Sequence, residues 1–227
     1  TITIRNRMIK FTPKEIKAVT DKNDPLYYYA NFGDSYYDFE NPEFKNSVLE
    51  IVKGAQTPAD KLNKIHKWTS ENFVHILEIE NLRSETESGR TEFVIDKIPD
   101  YKKTSDIFKT KTGHCRHASD LFISMARAVN IPARLVEGFT IAYDTAINSG
   151  GCDQHYTVEV YDAGSDKWFY IEPQDNLFFG INQFWHILLG YEYLKDRYQN
   201  MICLLSLGWY EHYNLNYPDC VTFEVKF

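Results

Sequence analysis

Cys115 stands near the start of the stretch GHCRHASDLFISMARAVNIPARLVEGF, residues 113 to 139. Ala118, Leu121, Phe122, Met125, Ala126 and Val129 recur there at the spacing of one apolar helix face, which predicts a buried helix from Cys115 to Val129. Gly113 precedes it, and Asn130 and Pro132 follow as a cap residue and a helix breaker. Cys115 falls in the first turn, on the inward stripe, where unpaired N–H groups and the helix dipole favour an anion. A thiol so placed ionises more readily and becomes a nucleophile near neutral pH. The competing reading is a small buried core thiol, the commoner fate of a lone cysteine.

A nucleophilic thiol needs a base. His114 precedes the helix, and His117 lies roughly 200° around it from Cys115, so both are expected to be exposed or supporting rather than catalytic. A metal site at His114, Cys115 and His117 lacks a further ligand pair at zinc spacing, and neither metal nor cofactor is called for. The better candidate lies in QHYTVEVYDAGSDKWFYIEPQ, residues 154 to 174, whose two alternating runs flank Ala163-Gly164 and predict a β-hairpin. With a two-residue turn there, His155 faces Glu172, Thr157 faces Tyr170 and Glu159 faces Trp168. On the other side Tyr156 faces Ile171 and Val158 faces Phe169. A slip by one residue would mix the polar and apolar faces. Glu172 is then expected to accept from Nδ1 of His155, leaving Nε2 for the thiol. An ordinary cross-strand ion pair is the plainer alternative.

These three blocks, GHCRHASDLFISMARAVNIPARLVEGF, HYTVEVY and WFYIEP, resemble the transglutaminase-like superfamily of papain-related cysteine enzymes over roughly residues 57 to 173. The resemblance implies Cys115 as nucleophile, His155 as general base and Glu172 in the place of the orienting acid. Two departures stand out. Asn130 replaces the usual Gly of the turn after the helix, which Asn tolerates, and Glu172 is one methylene longer than the usual Asp. The fold implied is α+β, a papain/transglutaminase-like core with a buried cysteine helix packed on an antiparallel β-sheet.

The remaining chain must position this set. Its 227 residues, 43% hydrophobic and 15% aromatic, can bury a sizeable core, and they read as one domain, 1–227. Within it, 1–56 reads as an N-terminal helical and aromatic-rich extension, 57–173 as the catalytic core and 174–227 as a closing helix and strands. A net charge of −7 without a basic stripe argues against nucleic acid or an anionic membrane as partner, and no apolar run is long enough to span a bilayer. The chain opens on Thr1 rather than Met, which fits either processing, removal of an export signal included, or a sequence trimmed from a longer one. Cys152, Cys203 and Cys220 leave the redox compartment open.

Along the chain, 1–10 alternates weakly, as a strand or an arm. Thr12-Pro13-Lys14-Glu15 has the form of a helix start leading to Thr20. Residues 21 to 42, with Tyr27, Tyr28, Tyr29, Tyr36 and Tyr37, suggest an irregular segment packed by its rings, or alternatively an aromatic substrate-binding surface. Helices are expected from Glu43 to Lys53, closed by Gly54, and from Thr57-Pro58 to about Phe73. Residues 76 to 103 read as a long loop, 133 to 142 as a strand and 143 to 153 as a loop able to gate access to His155. A helix is expected over 181 to 189 with further helical turns over 191 to 198, and strands over 201 to 207 and 221 to 225.

The activity implied is hydrolysis of amide bonds in a peptide or protein substrate through a thioester. Transamidation, which uses the same triad, and an inactive binding domain of the same fold are the alternatives. Retention of Cys, His and an acid in order weighs against the last.

Overall fold

The computed structural model describes the backbone of residues 8–10, 13–76, 83–85, 91–93, 100–144, 149–174, 180–182 and 186–188, and the side chains of 13–76, 100–136 and 155–174. In chain order the elements are β1 (Met8–Lys10), α1 (Tyr27–Asn31), α2 (Pro42–Ile51), α3 (Pro58–Asn72), β2 (Val74–His75), β3 (Arg83–Glu85), β4 (Thr91–Phe93), α4 (Thr104–Thr110), β5 (Thr112–Gly113), α5 (Cys115–Ala128), β6 (Ala133–Asp144), β7 (Ser149–Asp162), β8 (Lys167–Ile171), β9 (Gly180–Asn182) and β10 (His186–Leu188).

α5 is the centre of the fold, and among the described elements it packs against β6, β7, α1, α2, α3 and α4. Ala118, Leu121, Phe122, Ile123, Met125 and Ala126 are fully buried. Burial extends around the polar side as well, so each polar residue there has a specific partner. Ser119 Oγ donates to the Tyr156 carbonyl at 3.0 Å, and Ser124 Oγ to Thr104 Oγ1 at 2.8 Å. Arg127 ties down the carbonyls of Tyr29, Phe32 and Ala133 at 2.9 to 3.1 Å. Asn130 ends the helix at φ 62, the left-handed conformation that Asn can supply in place of Gly.

The main sheet is antiparallel, in the order β10-β6-β7-β8, and its Ala133, Leu135, Tyr156, Val158, Val160 and Ile171 join the α5 core. β6 and β7 pair without interruption from Ala133↔Val160 to Asp144↔Ser149. The loop expected over 143 to 153 is thus strand over 143–144 and 149–153, because β6 and β7 keep pairing as far as Asp144↔Ser149; residues 145–148 lie outside the described residues. The helix expected over 181 to 189 is also corrected: 180–182 pairs with β1 and 186–188 extends the sheet beside β6. The turns expected over 191 to 198 and the strands over 201 to 207 and 221 to 225 lie outside the described residues.

Two of the expected helices form with the caps the sequence provides. Asn41 Oδ1 accepts the N–H groups of Glu43 and Phe44 at the start of α2, and Gly54, at φ 79, lies just beyond its end. Thr57 and Asp60 form a reciprocal capping box at the start of α3.

The helix expected after Thr12-Pro13 does not form. Its backbone bonds elsewhere: Glu15 N–H donates to Asp162 Oδ1 at 2.5 Å, Ala163 N–H to the Glu15 carbonyl at 2.8 Å, and Val19 N–H to the Asn130 carbonyl at 2.8 Å. Ile16 and Val19 go into the core while the residues between them stay partly exposed, a three-residue spacing without the helical continuation. Within the region expected to be irregular, Tyr27–Asn31 forms one short helix. Within 76 to 103, β3 and β4 form a small hairpin.

Candidate active site

Cys115 is the first residue of α5, as its position in the sequence implies. Gly113 approaches from β5, which runs parallel to β2 and so delivers the chain to the helix start from a small two-stranded sheet. A Cβ at Gly113 would stand 2.7 Å from the Cβ and Nδ1 of His117, so the close approach of backbone to ring requires glycine.

The thiol is half-buried, and burial by itself would raise its pKa. Hydrogen bonds from the His114 and His155 side chains, the charge on His155 and the Tyr156 backbone outweigh burial and bring the thiol down from 9.0 to about 6. His155 moves the opposite way. Burial would lower its pKa, but the hydrogen bonds to Cys115 and Glu172 and the charges of both raise it from 6.5 to about 10. Between these values the two groups form a thiolate–imidazolium pair.

His155 Nε2 lies 2.7 Å from Glu172 Oε2, with the two side chains only 13% and 8% exposed. The residues expected from sequence therefore meet, but by a different geometry. The hairpin does not turn on two residues: Asp162 pairs with Lys167, Val160 with Phe169 and Val158 with Ile171. Four residues, Ala163 to Asp166, make the connection, with Asp166 in a left-handed conformation at φ 55. The expected register is thus shifted by two. Carried one step past the end of β8, the observed register puts Glu172 opposite Thr157, and the carboxylate reaches His155 along the diagonal. Cross-strand diagonals are longer, about 7 to 8 Å, and the extra methylene of Glu helps to span them. The ring orientation is also the reverse of the expected one. Nε2 faces the acid, leaving Nδ1 as the ring nitrogen for the thiol.

His114, set aside on sequence grounds, contacts the nucleophile. Its ring lies 4.0 Å from that of His117, and its own N–H reaches His117 Nδ1 at 3.3 Å. Burial, followed by the charges of His114 and Arg116, lowers the His117 pKa to about 4. His117 is therefore a neutral acceptor at the helix start, with its ring edge-on to Tyr101.

A second cluster was not anticipated. Asp120, fully buried in α5, accepts from Tyr37 Oη at 2.5 Å, Tyr36 Oη at 2.9 Å and Arg116 Nε at 2.8 Å. Burial, then the adjacent carboxylate, raises both phenols well above their ordinary pKa, so they remain donors. The guanidinium of Arg116, next in sequence to the nucleophile, lies over the Tyr156 ring at 5.0 Å. The hydroxyls of Tyr36 and Tyr37 thus turn inward to brace the helix. The aromatic pairs in the sequence hinted at packing, but nothing local marked their partner, 84 residues from Tyr36 and 83 from Tyr37.

Among the described residues no group of three or more His, Cys, Asp or Glu could hold a metal ion, and no helix is long and apolar enough to cross a membrane.

Comparisons with known proteins place the fold and the family. The crystal structure of a candidate cysteine protease from Cytophaga hutchinsonii is similar at 17% identity with a TM-score of 0.51, over 82% of this chain and 58% of that one. The periplasmic domain of TgpA from Pseudomonas aeruginosa is similar at 20% identity with a TM-score of 0.44, over 67% of this chain and 48% of that one. Its ethylmercury-bound form matches at 19% and 0.43, over 65% and 48%. The chain thus spans about half the length of these solved structures. No curated protein matches it. The family model of the transglutaminase-like superfamily matches residues 45–173, more than half of the chain, a span within which Cys115, His155 and Glu172 fall. The chain belongs to the transglutaminase-like superfamily.

Proposed function

We propose that this protein is a cysteine hydrolase of amide bonds in peptides or proteins, acting through a thioester on Cys115. The observation that carries the reading is geometric: Cys115 opens α5 beside His155, whose Nε2 lies 2.7 Å from the Glu172 carboxylate, and this setting pushes the thiol down to about 6 and the imidazole up to about 10. At neutral pH the nucleophile is then already ionised, and the proton it gave up is held on His155.

The steps follow from that resting state. The Cys115 thiolate attacks the substrate carbonyl carbon, and the negative charge moves to the carbonyl oxygen. The Cys115 backbone N–H, at the start of α5, is the donor we assign to that oxygen. As the tetrahedral adduct collapses, His155 gives its Nδ1 proton to the departing amine, leaving an acyl thioester and a neutral imidazole. Nδ1 then takes a proton from water, the resulting hydroxide attacks the thioester, and the carboxylic acid leaves as the thiolate–imidazolium pair is restored. Glu172 holds the ring by Nε2 throughout and stabilises its charge.

The test is incubation with a mixture of peptides, followed by intact-mass analysis and analysis of new peptide ends. The expected result is a covalent acyl adduct on Cys115 and hydrolysed products, both absent in Cys115→Ala. An added primary amine separates the alternatives, since conversion of the products chiefly to amine adducts would replace hydrolysis by transamidation. An intact peptide mixture together with a Cys115 alkylation midpoint at or above the ordinary thiol value of about 8.5 would overturn the reading.

A further inference from the structure

β8 ends at Ile171, and Glu172 lies one residue beyond its last ladder pair. Where the ladder stops, side chains take the backbone carbonyls. Thr157 Oγ1 donates to the Ile171 carbonyl at 2.6 Å, and the Glu172 carbonyl lies 3.0 Å from Nε2 of His66. A carbonyl oxygen can only accept, so Nε2 of His66 carries a proton. Pro173 follows, which biases Glu172 to extended backbone. The peptide group of Glu172 is thus held at its carbonyl by His66, at the preceding carbonyl by Thr157 and by the proline ring after it.

From this arrangement we infer that His66 is a positioning residue for the catalytic acid, fixing the Glu172 backbone so that its carboxylate meets His155. The inference rests on the assignment of Cys115, His155 and Glu172 made above. His66 belongs to α3, 106 residues away in sequence, and is only 3% exposed. Its ring stands edge-on to Phe122 of α5, the helix that carries Cys115. One buried imidazole therefore touches the nucleophile's helix on one side and the acid's backbone on the other.

The consequence is a lever. The Glu172 carboxylate reaches His155 along a diagonal, so a small rotation of the 172 peptide swings its oxygens by more than the rotation moves the backbone. Gln174 N–H donates to Oε1 at 3.4 Å, a longer contact than the 2.7 Å between Oε2 and His155. A histidine that merely satisfied a core carbonyl would matter for stability but not for the protonation of His155.

The experiment uses the full chain and the variants His66→Gln, His66→Asn and His66→Phe. Gln places an amide donor near the Nε2 position, Asn is too short to do so, and Phe keeps the ring shape without a donor. The readouts are the pKa of His155 by nuclear magnetic resonance, peptide hydrolysis and unfolding in urea. His66→Gln is expected to keep kcat within about threefold. His66→Asn and His66→Phe are expected to lose about tenfold or more in kcat with KM within about twofold, and to lower the His155 pKa by about one unit.

Equal His155 pKa values in wild type and in either donor-free variant that folds would overturn the inference, whatever the loss of stability. If neither folds, the wild-type His66 Nε2–H signal decides: held by the Glu172 carbonyl it resists exchange with solvent, and rapid exchange overturns the proposal. Absence of hydrolysis by the wild type would count against the proposed function and leave the His155 titration to judge His66 separately.

Discussion

Shortening Glu172 to Asp tests the diagonal geometry directly. In the wild type the carboxylate stands 2.7 Å from His155 Nε2, reached along the diagonal that the observed register sets between residues 172 and 155. Removing one methylene draws the carboxylate back by about 1.5 Å, one carbon–carbon bond. The gap becomes about 4 Å, beyond the N–H···O limit of about 3.2 Å. A hydrogen bond to a charged group contributes about 1.5 to 3 kcal/mol net, so kcat/KM should fall roughly ten- to a hundredfold.

The pH profile supplies a second measure. The active pair needs thiolate, present above about 6, and imidazolium, present below about 10. Glu172 acts by raising His155, so Glu172→Asp should move the upper edge of the alkylation and hydrolysis profiles down toward the ordinary imidazole value of about 6.5. Rates of iodoacetamide modification at Cys115 against pH, with peptide hydrolysis in parallel, read both edges. An Asp variant as active as wild type, with an unmoved upper edge, would refute the reasoning and would mean that Glu is a poor stand-in for the shorter acid. Glu172→Gln keeps the length but loses the charge, and it too should lower the upper edge.

Cys115→Ala should abolish hydrolysis while Cys203→Ala leaves it intact, as measured by peptide cleavage, and alkylation of the wild-type thiol should show a midpoint near 6. Asp120→Ala would leave Arg116 and two partly buried phenols without their acceptor and should cost about 3 kcal/mol in urea unfolding. Gly113→Ala would force the His117 ring away from the helix start, and should cost about 1 to 3 kcal/mol with a raised alkylation midpoint at Cys115. Asn130→Val places a branched residue at φ 62 and should cost about 1 to 2 kcal/mol, whereas Asn130→Gly should be nearly neutral by the same assay.

The cysteine helix was legible in the sequence because its apolar face, its start and its stop all lie within one short stretch. The hairpin was legible in its faces but not in its register. A one-residue slip exposes the core side, whereas a two-residue slip leaves every residue on its original face, so alternation cannot tell a two-residue turn from the four-residue turn observed over Ala163 to Asp166. Glu172 still meets His155 because its side chain compensates for the slip.

Other features needed information from far along the chain. The proline and acid after Thr12 have the form of a helix start, yet Asp162 and Asn130 compete successfully for that backbone. α4, only seven residues long, escaped notice because two of its buried positions, Thr104 and Ser105, are polar and are held by Asp38. The bond between His66 and Glu172 spans 106 residues and leaves no periodic trace.

The segment from Pro13 to Thr20 has a consequence for the order of assembly. Its contacts with the hairpin turn join positions as far as 147 residues apart, so they close one of the longest loops in the described chain. Such a closure is entropically expensive and returns little until both of its docking sites exist. The turn at Asn130 and the connection after Asp162 must therefore be in place first, and the segment docks onto a preformed surface. Mutations at Ile16 or Val19 should then speed unfolding and leave the refolding rate nearly unchanged, the signature of contacts made after the rate-limiting barrier.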